Sequence, residues 1–407
     1  MKKILIIGYV WPEPNSSAAG SHMMSILRLF KTQDWQVEFT TPAQESEHAI
    51  NLANEGISAK SIVLNCDSFD TYIKTYQPDI VFFDRFMMEE QFGWRVEKNC
   101  PTALKILDTV DLHCLRDARH KAHKAKRVIT QEDLYSNVAK REIASILRSD
   151  ISLIISSHEM QLLHDTFKID TSLLHHLPFM VDGEKYPKTT KSFSQRQHFM
   201  TIGNFRHAPN WDVVLYLQQI WPHIRKKLPQ AELHIYGSYP PPKATALHNP
   251  KIGFHIKGWA EDALNVMEDA RICLAPIRFG AGIKGKLLDA MIMQTPSITT
   301  SIGSEGMHKS EPWGGAVTDD VEAFVEASVK LYTDEEAWAE AQKNGTALLH
   351  AHYDAKKLGA SLIEKILSTK KNLTQHRLNN FTGAMLKHHS MMSTKYMSQW
   401  IAEKNKS

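Results

Sequence analysis

Cysteine is scarce in this chain. Only four occur in 407 residues, Cys66, Cys100, Cys114 and Cys273, and no two form a CxxC pair. They read as free thiols in a reducing compartment rather than as a disulfide framework. Long apolar runs are also missing, and none approaches the ~18–20 residues of a membrane span. The opening MKKILIIGYVWPEP has a short apolar run that Trp-Pro-Glu-Pro interrupts, with no small-residue cleavage site after it, so it reads as a buried first strand rather than a leader. An excess of one charge is lacking too. A net charge of +3, with no basic stripe interleaved with aromatics, argues against a nucleic-acid partner. Histidine is plentiful, 21 in all, but the close pairs His120/His123 and His388/His389 lie in basic, polar surroundings and read as solvated side chains, so no metal site is expected.

What remains is ordinary globular composition, 43% hydrophobic and 23% charged, long enough for two or three domains in the cytoplasm. Strand-like runs (KKILIIGY, QVEFTTP, KSIVL, PDIVFFD, TALKILD, ISLIISS) alternate with helix-period segments: SHMMSILRLFK, a polar stretch near 44–54, one ending at Tyr76, a long one over 115–148, and HEMQLLHDTF. Residues 183–197 are polar and break the pattern, as a linker does. It then restarts with the strands HFMTIGN, AELHIYG, IGFHIKG, RICLAPI and PSITTS, and helices near 211–227, 320–332 and 335–368. Alternation at this pace predicts α/β architecture: two doubly wound, Rossmann-like units with parallel sheets, over 1–185 and 196–368, followed by a basic tail over 369–407. In such sheets ligands bind beyond the carboxyl ends of the strands, so the loops there carry the chemistry.

Four loops stand out. Residues 8–24 join strand to helix and are rich in small residues, including Gly20; they suit a phosphate at a helix N-terminus or a plain tight turn equally. TIGNFRHAPN holds Gly203 and Arg206, the latter a candidate phosphate ligand or an exposed arginine. RFGAGIKGKLLDAM places Gly280, Gly282, Ile283, Lys284, Gly285 and Lys286 between a strand and a helix that carries Asp289. Glycines let amides approach an anion, lysines supply charge, and an acid one turn on can hold ribose hydroxyls, a set suited to a nucleoside diphosphate. It is not a P-loop, because Leu287 stands where Ser or Thr is required. TSIGSEGM adds a flexible loop with Glu305 and Gly306 on the same rim.

GNFRHAPNWD, AELHIYG, GAGIKGKLLDAM and TTSIGSEGM, with LKILDTVDLHCLRD, SDISLIISSHEMQLL and LPFMVD earlier, resemble the GT-B glycosyltransferases of family 4 over roughly residues 1–368. The resemblance implies two Rossmann-like domains facing a cleft, with the acceptor on the first, the donor on the second, and the last helices returning to the first. It implies a hexosyltransferase that uses a nucleotide-diphospho-sugar as donor substrate, needs no cofactor and no divalent metal, and retains anomeric configuration. The acceptor is a saccharide or lipid-linked saccharide, as in surface polysaccharide or glycoconjugate synthesis. Catalytic roles fall on Lys284, Arg206 and Asp111. Donor binding falls on Gly20, Gly203, Gly280, Gly282, Ile283, Lys284, Asp289, Glu305 and Gly306.

The chain departs from the family pattern in three places. Ala281 stands eight residues before Asp289, where the first of two acids is usual; Asn204 takes an arginine position; and Val110-Asp111 replaces a His-Asp pair. A GT-B protein that binds nucleotide-sugar, or a partner protein, without turnover is the alternative. Two basic segments, RDARHKAHKAKR (116–127) and the tail with seven Lys or Arg among Phe381, Met385, Met391, Met392, Met397 and Trp400, read as solvated faces or as docking surfaces for an anionic membrane, which would make the protein peripheral at the inner face of the cytoplasmic membrane.

Overall fold

The structure is a computed structural model that describes residues 1–183, 186, 187 and 189–404, the side chains of 389–391 excepted. Part of the expected linker (184, 185 and 188), the end of the tail (405–407) and the side chains of His389 and Met391 lie outside the described residues.

Thirteen strands form two parallel sheets among the described residues. The first takes β1 (Lys3–Ile7), β2 (Gln36–Thr41), β3 (Ser58–Ser61), β4 (Ile80–Asp84), β5 (Leu104–Asp108), β6 (Ile151–Ile154) and β7 (Leu174–His176) in the order β3-β2-β1-β4-β5-β6-β7. The second takes β8 (His198–Ile202), β9 (Leu233–Tyr236), β10 (Phe254–Gly258), β11 (Ala270–Ala275), β12 (Ser297–Thr299) and β13 (Gly315–Val317) in the order β10-β9-β8-β11-β12-β13. Helices cover both faces, so the α/β GT-B architecture holds. The residues explain the strand positions. IVFFD and LKILD are buried along their whole length, as central parallel strands must be, while SAKS is exposed throughout and lies at an edge.

The two domains are tied by crossing segments. Val181 donates its N–H to the Tyr353 carbonyl (2.8 Å), and Ala355 donates back to Val181 (3.1 Å). Beyond this crossing the helix Ala355–Lys371 lies on the first domain, with Leu362 and Ile366 in the same buried cluster as Ile4, Ile6 and Phe82. The tail continues as helices Leu373–Asn379 and Phe381–Lys404, the second packed on helices Phe86–Asn99 and Asn137–Arg148. Arg377 Nε donates to Asp150 (2.8 Å), Asn380 Nδ2 to the Leu147 carbonyl (2.7 Å), and buried Arg95 reaches Ser398 Oγ (3.2 Å).

Several local expectations are corrected. The polar stretch 44–54 is no helix: only Leu52–Glu55 makes a 3-10 turn, because Ile50 donates its N–H to the Pro12 carbonyl and Ser46 bonds Glu13. The span 115–148 divides into His113–Lys124, Gln131–Leu134 and Asn137–Arg148, broken by left-handed Lys126 and restarted by a Thr130 capping box and a Ser136 cap. The span 335–368 divides at Tyr353, where Asp354 caps the next helix through the Lys357 N–H (2.9 Å). KSIVL slides back to Ser58–Ser61, and helix Phe86–Asn99 and strands β7 and β13 were not anticipated.

Candidate functional site

A cavity of about 1000 Å³ opens between the carboxyl ends of the two sheets. The loop after β1 forms one wall, with Asp84, Arg85, Asp111, His113 and Arg116 from the segments that end and follow β4 and β5 beside it; Gly203, Asn204, Arg206, Gly280, Ala281, Ile283, Lys284, Gly285, Lys286 and Asp289 form the facing wall, which Gly282 does not line.

On the second domain, Pro276 to Lys284 lead from β11 into helix Gly285–Ile292. Lys284 occupies the N-cap position, and its Nζ donates to the Gly282 carbonyl (2.6 Å) and the Ala281 carbonyl (3.3 Å). Burial pushes its ammonium down to about 8, against the pull of Glu305 and Glu159. Burial does the same to Lys286, also to about 8, whose Nζ donates to Asn210 Oδ1 (3.0 Å). Two desolvated ammonium groups thus flank a helix N-terminus, an arrangement that gains from an anion. Asp289 and Ile283 line the same wall. Arg206 is exposed, its guanidinium 3.5 Å from the Tyr239 ring centroid, and its backbone N–H donates to Asn204 Oδ1 (2.9 Å). Gly203 packs on Asn210.

On the first domain Asp111 is buried. Burial would raise its carboxyl, but Arg116, which bonds it, with His113 (3.5 Å) and His207, holds it down at about 2. Burial lowers His113 to about 4. Two non-glycine residues take left-handed backbone at this rim, Arg85 (φ 70°) and Val110 (φ 62°), directly after β4 and β5. For a β-branched residue such as Val110 this is strained, and such strain collects at functional sites.

The structure places other expected residues differently. Gly20 lies in the first turn of helix Ala18–Lys31, but its N–H donates to Ser17 Oγ (3.1 Å) and is spent; the missing side chain admits the Glu13 backbone. Gly282 (φ 63°) presses against Asp111, where a Cβ would stand 2.8 Å from the Asp111 Cβ, and its N–H donates across the cleft to Glu159 Oε1 (2.7 Å). The Gly280 carbonyl accepts from Arg119 (2.9 Å). Glu305 and Gly306 do not line the cavity. Glu305 takes a two-pronged bond from Arg119 (2.7 and 2.8 Å) with His158 at 3.4 Å, and the Gly306 carbonyl accepts from Ser157 (3.4 Å).

Sequence reasoning missed Arg85, Arg116, Arg119 and Glu159. Arg116 and Arg119 belong to the segment read above as a basic surface, and its fate corrects that reading. Arg116 and Arg119 pair inward, His120 stacks on Phe279 (4.5 Å), and His123 sits 3.4 Å from Asp212, so this face joins the two domains. Glu159 lies in helix Ser157–Asp165, inside the quoted SSHEMQLL, but nothing in that string marks it. Its Oε1 also accepts from the Leu112 N–H (3.0 Å), and Oε2 is buried without a partner.

With this geometry in hand, comparison with known proteins is informative. Residues 196–334 match the family model described as "Glycosyl transferases group 1", which covers most of the second domain. A protein described as "Uncharacterized 44.6 kDa protein in cps region" of Klebsiella pneumoniae is 26% identical over 172 residues, 40% of this chain and 44% of that protein. Three solved structures share the fold: sucrose-phosphate synthase from Thermosynechococcus elongatus (14% identical, TM-score 0.66, 91% of this chain and 100% of that one), S. aureus TarM with UDP and alpha-GlcNAc-glycerol among its ligands (11%, 0.69, 91% and 100%), and Anabaena HepE with UDP and glucose (11%, 0.67, 90% and 100%).

Proposed function

We propose that this chain is a glycosyltransferase that moves a hexosyl unit from a nucleotide-diphospho-sugar to an acceptor hydroxyl, with retention. The observation that carries this reading is the meeting of Lys284, Lys286, a helix N-terminus and Asp289 in one interdomain cavity, on the domain that matches the glycosyltransferase model. The relatives solved with UDP make UDP-sugars the first donors to test. In the reaction the anomeric C–O bond to the diphosphate breaks, the acceptor oxygen bonds the anomeric carbon from the same face, and the acceptor proton passes to the departing phosphate. Lys284 and Lys286 stabilise the charge that develops on the diphosphate, and Arg206 reaches the same space from the second rim. Asp289 holds the ribose. Asp111, kept ionised by Arg116, faces the acceptor and accepts a hydrogen bond from another of its hydroxyls, which orients it. A leaving group that takes the proton needs no second carboxylate, which fits Ala281 in the place of the family's first acid.

Release of free nucleotide diphosphate on adding an acceptor, from whichever UDP-sugar raises the melting temperature, tests the reading. The product should keep the donor's anomeric configuration by NMR. An inverted product would overturn the mechanism, and binding without release would leave a non-catalytic nucleotide-sugar protein.

The match to a protein of a cps region favours a surface-polysaccharide acceptor, and the tail suits a lipid-linked one. Helix Phe381–Lys404 exposes Phe381 (75%), Met385, Tyr396, Met397 and Trp400 (61%) on the side away from the protein. Arg377 bonds Asp150, and Lys395 lies near this stripe, its ammonium 5.4 Å from the Tyr396 ring centroid. At about 1 kcal/mol per basic residue, charge alone holds such a helix weakly, and the aromatics carry more of the binding. We expect the protein to co-sediment with anionic vesicles, and Tyr396→Ser with Trp400→Ser to reduce the bound fraction several-fold. Equal recovery of both proteins with the vesicles would remove the tail from the acceptor reading. No helix among the described residues is long and apolar enough to cross a membrane.

A further inference from the structure

The second domain carries a cluster that the donor reading does not use. Glu232 precedes β9, His234 lies within it, and His255 lies on β10. The strands pair in parallel with His255 opposite His234, so the two imidazoles stand side by side and Glu232, two residues before His234, shares their face. Both rings converge on one carboxylate oxygen: His234 Nε2 lies 2.8 Å from Glu232 Oε2, and His255 Nε2 lies 3.6 Å from it. One oxygen satisfies one of them. His255 Nε2 is buried and left without a hydrogen bond, and so is His234 Nδ1. His198, on β8, stacks on His234 with ring centroids 3.9 Å apart and shields that side.

We propose that Glu232, His234 and His255 bind a first-row divalent transition metal ion, zinc above all. The three ligand atoms lie within 4.8 Å of one another. Ligands about 2.0–2.1 Å from a tetrahedral zinc stand about 3.3 Å apart, so small side-chain rotations bring this set onto an ion. Two imidazoles and a carboxylate suit zinc, copper or nickel and discriminate against magnesium and calcium, which want oxygen alone. A cation on this oxygen gives His255 Nε2 the partner it lacks. The site lies on the sheet face, away from the donor cavity. The chains after β9 and β10 run on to Tyr239 and Trp259 in the cavity wall, so an ion there would tie the two strands that support that wall. Lys257, on β10 and two residues past His255, is a cation that opposes binding, and Arg225 is another that faces His255.

The test uses the full chain, stripped with chelator and titrated with zinc by calorimetry. One equivalent should bind, the melting temperature should rise, and magnesium should do neither. Each of His234→Ala and His255→Ala should weaken zinc at least about 10-fold, since losing a ligand costs no less than losing one of its supporting partners. Lys257→Ala should tighten it. Cobalt gives a readout that needs no variant: intense visible bands of a tetrahedral ion, lost on adding zinc. Nucleotide-diphosphate release should not require the metal. No zinc bound, the same stoichiometry and affinity in the His234 and His255 variants, or only the weak bands of hydrated cobalt would overturn the site.

Discussion

Lys284→Ala should lower turnover by about 10²–10³-fold, the range found when one preorganised donor to a developing charge is removed. Lys284 Nζ donates to two carbonyls of its own loop, so it is held in place before any ligand arrives. Removing it should not unfold the protein. Burial depresses its folded-state pKa from 10.5 to about 8, so its contribution to stability is present above pH 10.5 and lost as pH falls through about 8. At pH 7 the buried ammonium is a cost, and the alanine variant should melt no lower than wild type. The same value sets a pH dependence: nucleotide diphosphate should bind more weakly as pH rises past about 8 and the ammonium loses its proton. Asp289→Ala provides the contrast. A ribose contact is made equally in the bound substrate and in the transition state, so KM should rise about 10-fold with kcat little changed. Calorimetry and steady-state kinetics on the two variants separate the roles; equal effects on kcat and KM in both would sink the assignment of Lys284 to the leaving group.

The strands were legible where the chain is simplest. ILII, IVFF and ISLI are apolar runs too short for helices, set between breakers, and a strand buried on both faces looks like that. The edges were less legible. Ser58–Ser61 has no apolar pattern, and β7 and β13 are three residues each, so pairing with a neighbour defines them rather than composition. Long helical spans divided where a partner distant in sequence intervened, as Val181 does at Tyr353. The donor wall was visible because glycine, lysine and acid are contiguous in 280–289. The first-domain wall was not, since Arg85 and Arg116 reach the cavity from two separate elements and Glu159 meets Gly282 from a third, and only the fold brings them together. A run of basic residues gave no hint that Arg116 and Arg119 turn inward, because charge counts carry no direction.

Glu159 is where that hidden geometry has its largest consequence. One carboxylate oxygen accepts the Leu112 N–H from the first domain and the Gly282 N–H from the second, so Glu159 fastens the 280–286 loop to the first domain. Glu159→Ala should leave both N–H groups buried without an acceptor, at about 1–3 kcal/mol each, and lower stability by about 2–6 kcal/mol. Glu159→Gln keeps an oxygen for both and removes only the ability to ionise. Burial, with Asp111 nearby, raises the Glu159 carboxyl from 4.5 to about 8. For a group raised in this way, the stability it contributes is fully present below pH 4.5 and is lost as pH rises through about 8. Wild type should therefore lose melting temperature relative to the glutamine variant as pH rises from 6, the gap growing up to about pH 8 and levelling off above it. Thermal melts of the three proteins at several pH values decide it. A gap that stays constant from pH 6 to 9 would mean that Glu159 is already ionised at pH 6, held so by the Lys284 ammonium, and the fastening would then be an ion pair across the cleft instead of a neutral acid.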